Sequence, residues 1–261
     1  NYLKRMRIQD SILYKFSPES TVGDLYSTTY ALLLYSLFDV KLENSEISNY
    51  IEYYDSLQSP DGLYRDSVLE TKRSENGDHW GWRHLLPHII IALDYLGARP
   101  KYKFSFIEAL LDDRNVIDWL EQLDWSGEYL NTSNLVFNIG VALQYSRDHL
   151  GDTAAGIKLV DMKIWLKDKI LSRENIKKWY STAEGRQDDI YKIVKTVYHI
   201  LPIYYYDNEL NKEEFNKILE YAIMTQNSIG GYGPLLFSDS CEDIDSVYTI
   251  AALTMDYDNK S

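Results

Sequence analysis

Five long apolar, aromatic-rich stretches recur along the chain, each preceded by a more polar one. Each opens on an Asp or Asn: Asp24, Asp78, Asn134, Asp188 and Asp243. The openers stand 54, 56, 54 and 55 residues apart. A period of about 55 fits two helices and two connections, so the pattern predicts helical hairpins in series. The apolar helices are expected over residues 24–38, 78–96, 134–149, 188–206 and 243–255. The polar ones are expected over 1–14, 45–57, 113–123, 157–171 and 212–225. Asp and Asn are favoured N-caps, which supports a helix start at each opener. Pro87 and Pro202 fall inside two apolar helices and predict kinks.

Stretches such as Ala31-Leu32-Leu33-Leu34-Tyr35 and Ile89-Ile90-Ile91-Ala92-Leu93 are apolar nearly all round, and such a helix is covered on every side. The apolar helices should therefore form an inner layer and the polar ones an outer layer. Alternating layers with short loops predict an all-α fold, an α/α toroid of about five hairpins. No linker or low-complexity tract divides the chain, so residues 1–261 are read as one domain. With five hairpins the barrel should be small, open on one side, or cut from a longer chain.

Two of the connecting turns are close copies: Gln58-Ser59-Pro60-Asp61-Gly62-Leu63-Tyr64 and Gln226-Asn227-Ser228-Ile229-Gly230-Gly231-Tyr232. Gly at the fifth place supplies the positive φ of a tight turn.

In a toroid all inner helices start at one mouth. The first turns and the loops before them should converge on a central cleft there. Two openings carry more than a cap requires. The second adds Trp80, Trp82, Arg83 and His84 to Asp78. The fifth adds Glu242, Asp245 and Tyr248 to Asp243. Crowded carboxylates repel one another, which favours one of them keeping its proton as a general acid. The competing structural reading is an acidic first turn favoured by the helix dipole. Asp188 is a further candidate for substrate binding. His84 and His88 share a helical face, but a His-x-x-x-His pair without a placed third ligand reads first as structural or substrate-binding. No metal and no cofactor is expected.

Composition narrows the partners. The chain carries 40 acidic against 27 basic residues, a net charge of −13, which argues against nucleic acid. No apolar run approaches the about 20 residues needed to span a bilayer. A single Cys, Cys241, excludes an internal disulfide. A cytoplasmic location is the default expectation. Tyr is over-represented, 23 residues with six Trp, enough to line a cavity with faces that stack on rings or stabilise cations.

The two Gln/Gly/Tyr turns resemble the repeats of terpenoid cyclases and protein prenyltransferases. Asp243-Ile244-Asp245-Ser246 resembles the Asp-x-Asp-Asp motif of class II terpene cyclases. The stretch from Asp239 to Asp245, with Trp80-Gly81-Trp82-Arg83-His84, is also similar to bacterial members of this superfamily without an assigned reaction. The resemblance implies an α/α barrel with Asp245 as the acid that protonates an alkene or epoxide, and with Asp243 as its partner. Ser246 replaces the last Asp of the motif, a weaker partner for the acid. The Asp-x-Cys zinc pair of the prenyltransferases has no counterpart around Cys241.

Three functions follow. The first is an isoprenoid-handling enzyme with Asp245 as general acid, assisted by Asp243, Asp78 and His84. The second is a carbohydrate-processing toroid that uses Asp78, Asp188 and Asp243, with Trp80 or Trp82 stacked on a sugar. The third is a non-catalytic helical-repeat scaffold.

Overall fold

The computed structural model describes residues 2–69, 81–112, 114–125, 129–172, 174–175, 187–233 and 240–255, without the side chains of Tyr129, Gln187–Asp189, Glu214 and Ser240. Its regular elements among these residues are helices, joined in places by isolated β-bridges. The chain packs as two compact units: residues Asn1–Arg114 with Tyr145–Asp152, and Asn115–Gln144 with Thr153–Ser261.

The first unit holds α1 (Tyr2–Met6), α2 (Leu25–Leu37), α3 (Asn44–Leu57), α4 (Trp82–Tyr95) and α5 (Phe106–Leu111). The helix expected over 1–14 stops at Met6. The chain then turns back through Asp10, at φ 55°, to bridge Arg7 to Tyr14. The turn-forming run Gln9-Asp10-Ser11 outweighs helix periodicity here. α2 starts as expected: the Asp24 carboxylate accepts from Ser27 N at 2.7 Å and from Ser27 Oγ at 2.7 Å. α2 packs against α4.

The second unit holds α6 (Val116–Glu121), α7 (Tyr129–His149, as far as Gln144), α8 (Thr153–Lys169), α9 (Gln187–Tyr206), α10 (Asn216–Met224) and α11 (Ser240–Thr254). α9, α10 and α11 pack on one another, and α6 packs on α8. α7 lies close to α9 because Gly140 has no side chain. A Cβ there would sit 2.6 Å from Ile203 Cδ1. One turn further along, Gln144 Nε2 donates to Ile203 O at 2.8 Å. Pro87 and Pro202 do lie inside α4 and α9.

The copied turns are one structure used twice. Gln58 bridges to Tyr64 and Gln226 to Tyr232. Each Gln donates its Nε2 to the carbonyl of the turn glycine, at 3.1 Å to Gly62 and 3.2 Å to Gly230. The glycines have φ of 95° and 96°. The two turns, 168 residues apart and so close to three periods, share this Gln contact, the bridge and the glycine φ.

Most of the helix starts differ from expectation. Asn134 is an interior residue of α7, which begins five residues earlier. Asp243 is the fourth residue of α11, and Asp188 the second of α9. α4 begins at Trp82 with Gly81 at the cap position, and Asp78 lies outside the described residues. An acid or amide is favoured both at the cap and within the first turn, so the letter alone does not fix the boundary. The apolar helices are also not covered all round. Leu37 of α2 is 74% exposed, and Ile91 of α4 and Ile244 and Val247 of α11 are exposed too.

Candidate functional site

The second unit collects the most distinctive chemistry. It lies on α9 and α11, with α7 alongside. Along α9, Tyr191, Lys195 and His199 follow at intervals of four, which puts them on one helical face. Asp245, Tyr248 and Thr249 are spaced to share a face of α11. The two helices pack together, and Tyr191 OH donates to Asp245 Oδ2 at 3.0 Å. Asp245 is 4% exposed and Tyr191 6%. The Lys195 ammonium stands over the Tyr191 ring, 5.9 Å from its centroid, a cation–π contact. Tyr198 meets Tyr248 edge-on at 5.4 Å and 85°. Thr249, one turn beyond Asp245, is fully buried, and its Oγ1 has no hydrogen-bond partner among the described residues. A buried hydroxyl left in this way marks a place for water or a ligand's polar atom.

The other acids of the cluster do different work. Asp243 Oδ1 accepts from Tyr232 N at 2.8 Å, so this carboxylate ties the Gln226–Tyr232 turn to α11. The Glu242 carboxyl lies against Gly233, where an added Cβ would come within 2.7 Å of it. That glycine has φ 108°. Ser246, in the place of the motif's last Asp, is fully buried, and its Oγ lies 3.3 Å from Thr225 Oγ1. It packs α11 on the end of α10, away from any role as a second acid.

Of the upstream candidates, Asp78 and Trp80 lie outside the described residues, as does the side chain of Asp188. Trp82, Arg83 and His84 belong to the first unit. Trp82 is 1% exposed, a core residue rather than a face for a ligand. His84 and His88 of α4 meet Tyr26 and Tyr30 of α2 in a four-ring cluster, with centroids 5.1 to 6.3 Å apart around the ring. Tyr26 OH donates to Gly81 O at 2.9 Å and approaches His84 Nδ1 at 3.3 Å. Burial raises the Tyr26 phenol well above its ordinary value, and neighbouring Tyr30 adds to this, so it remains a donor. Burial also lowers the proton affinity of His88, against a smaller opposing effect of its hydrogen bond to His84 O. Among the described residues no three His, Cys, Asp or Glu side chains gather as a metal site would need. No helix there is long and apolar enough to cross a membrane.

Sequence reasoning passed over Lys195, His199 and Ser133. Ser133 Oγ lies 2.9 Å from His199 Nδ1, and both residues are buried. The i, i+4, i+8 run Tyr191-Lys195-His199 is the signal that would have found the first two. The third is a tertiary contact 66 residues away in sequence.

Comparison with models of protein families, with curated proteins and with solved structures finds no match to this chain. The terpenoid-cyclase resemblance therefore rests on its turn residues and its acid motif.

Proposed function

We propose that this chain is an α-helical repeat enzyme that protonates an isoprenoid-type substrate, with Asp245 as the general acid. The observation that carries the reading is the Asp245–Tyr191 pair. A proton donor of this kind needs a carboxyl shielded from water and held in a fixed direction. Asp245 is 4% exposed and is held by the Tyr191 phenol at 3.0 Å. The Tyr198–Tyr248 pair on the same two helices supplies aromatic faces of the sort that stabilise a developing cation. The Thr249 hydroxyl one turn away, which has no hydrogen-bond partner among the described residues, is a candidate contact for a polar atom. Tyr191 takes the place that the resemblance gives to a second acid, because Asp243 and Ser246 are engaged in packing.

The test is incubation with farnesyl and geranylgeranyl diphosphate and with squalene, followed by product analysis. Cyclised or isomerised product from the wild type, lost in Asp245→Asn with the fold unchanged by circular dichroism, supports the reading. Product that survives Asp245→Asn refutes it.

The scaffold reading has one specific observation in its favour. Asp24 and Asp243 both spend carboxylate oxygens on backbone N–H groups. The carbohydrate reading loses Trp82 as a stacking face and Asp243 as an unengaged carboxylate.

A further inference from the structure

A cavity of about 250 Å³ opens in the first unit, between α1, residues 14–16 and α2. It shares no residue with the Asp245 site. Its floor is the buried cluster of Met6, Tyr14 and Ala31, with Leu3 packed against it. The floor is held in place by backbone hydrogen bonds. Lys15 N donates to Met6 O at 2.9 Å, and Tyr14 N donates to Thr28 Oγ1 at 3.0 Å, so both helices grip the segment between them. Most polar groups of the lining are spent inside the protein. The Tyr14 and Tyr35 hydroxyls pair at 2.6 Å, Tyr26 OH donates to Gly81 O, and Ser27 Oγ donates to Asp24. What remains for the cavity is ring face and hydrocarbon. Lys15 is the exception. Its ammonium donates to Pro18 O at 2.8 Å, and two of its three hydrogens remain. The lining holds no carboxylate, and α2 carries no charged side chain. Among residues 1–16, four basic side chains stand against one acidic, the reverse of the whole chain's net charge of −13.

We propose that this cavity binds the monomeric anion of a medium-chain fatty acid, with the tail on the Met6–Tyr14–Ala31 floor and the carboxylate on the Lys15 ammonium. The volume sets the length. Drug-sized ligands fill pockets of about 300–1,000 Å³; this one is smaller and takes a tail rather than a polycyclic body. Tyr2 and Phe16 also line it and are 58% and 78% exposed, so a tail that reaches them removes further apolar surface from water. The affinity comes from the tail, about fourfold for each methylene buried. The head group sets the sign. A carboxylate on a partly exposed ammonium adds about fivefold. Aromatic faces also suit organic cations, but the Lys15 ammonium in the same lining disfavours them. The site is independent of Asp245 and of the chemistry proposed there.

The test is calorimetric titration of the full chain with decanoate below its micelle concentration, with octanoate, decanol and decyltrimethylammonium as comparisons. Decanoate should bind saturably at a single site, and octanoate about 15-fold more weakly for its missing methylenes. Decanol should bind about fivefold more weakly than decanoate, and decyltrimethylammonium more weakly still. Lys15→Met should bring decanoate down to the affinity of decanol and leave decanol unchanged. Leu34→Trp, at a lining position 36% exposed, should fill the cavity. It should weaken decanoate and decanol alike by about 15-fold or more, as if two methylenes were displaced, with the fold checked by circular dichroism. In the wild type, the methyl NMR signals of Ala31 and Leu34 should shift as decanoate is added. Absence of saturable binding overturns the proposal, and so do equal affinities for octanoate and decanoate. Decyltrimethylammonium that binds as tightly as decanoate overturns it too, as do Ala31 and Leu34 methyl signals that stay in place.

Discussion

Gly62 and Gly230 occupy the same place in the two copied turns, with φ of 95° and 96°, but their surroundings differ. An added Cβ at Gly230 meets nothing within 4 Å, whereas at Gly62 it would lie 2.5 Å from Lys103 O and 2.7 Å from Phe104 Cα. Both substitutions to Ala suffer the left-handed backbone penalty, about 1–2 kcal/mol. Both recover about 0.4–1 kcal/mol from a stiffer unfolded chain. Gly230→Ala should therefore cost about 1 kcal/mol. Gly62→Ala adds a clash with backbone, and that backbone is pinned. Gln58 exchanges two hydrogen bonds with Tyr102, and Phe106 N donates to Asp61 O at 2.9 Å. Overpacking of this kind adds about 1–3 kcal/mol, for a total of about 2–4 kcal/mol. The two glycines lie in different units, so a single unfolding curve can mix two transitions. Hydrogen exchange read by mass spectrometry reports each unit through its own helices, α2 and α3 for Gly62 and α10 and α11 for Gly230. Equal losses of protection, or a larger loss for Gly230→Ala, would refute the seating of the 102–106 segment on the first turn.

Lys163 is 5% exposed and lies 2.8 Å from Asp207 and from Glu209. Lys163→Met removes the ammonium from the Asp207 carboxylate, leaving it the weaker Gln144 Nε2 contact at 3.2 Å, and should cost about 3 kcal/mol in urea unfolding, whereas Lys163→Met combined with Asp207→Leu should recover most of that loss. At Asp24, burial raises the carboxyl pKa above its ordinary 3.8, outweighing the Ser27 hydrogen bonds, and nearby Asp66 adds to the shift. A raised pKa means that the folded state binds the proton more tightly. The stabilisation is then complete below 3.8 and is lost as pH rises through the folded value. Asp24→Asn keeps an acceptor for Ser27 N and should flatten that part of the stability–pH curve. Asp24→Ala should cost about 1 kcal/mol through loss of the cap.

The copied turns were legible because Gln, Gly and Tyr stand at fixed offsets and each has a geometric duty. The apolar helices that contain Pro87 and Pro202 were legible as well. The helix starts were less so. A carboxylate near a start can cap its own helix, as Asp24 does, or reach back to a preceding turn, as Asp243 does for Tyr232 N. Sequence alone does not distinguish these uses. Trp82 illustrates a second limit: an aromatic beside a helix start has the same letter whether it faces a ligand or, as here, the core. Asp245 was singled out by its motif, but its partner was not. The Tyr191 phenol arrives from a helix 54 residues earlier, and the Ser133–His199 pair likewise exists only once α7 and α9 lie side by side.

The most direct test of the Asp245 assignment is the fate of the solvent proton. Wild-type protein incubated in deuterium oxide with farnesyl or geranylgeranyl diphosphate or squalene should yield a product that carries one deuterium from the acid, and Asp245→Asn should yield none. Product without solvent deuterium, or deuterated product from Asp245→Asn, would contradict the account.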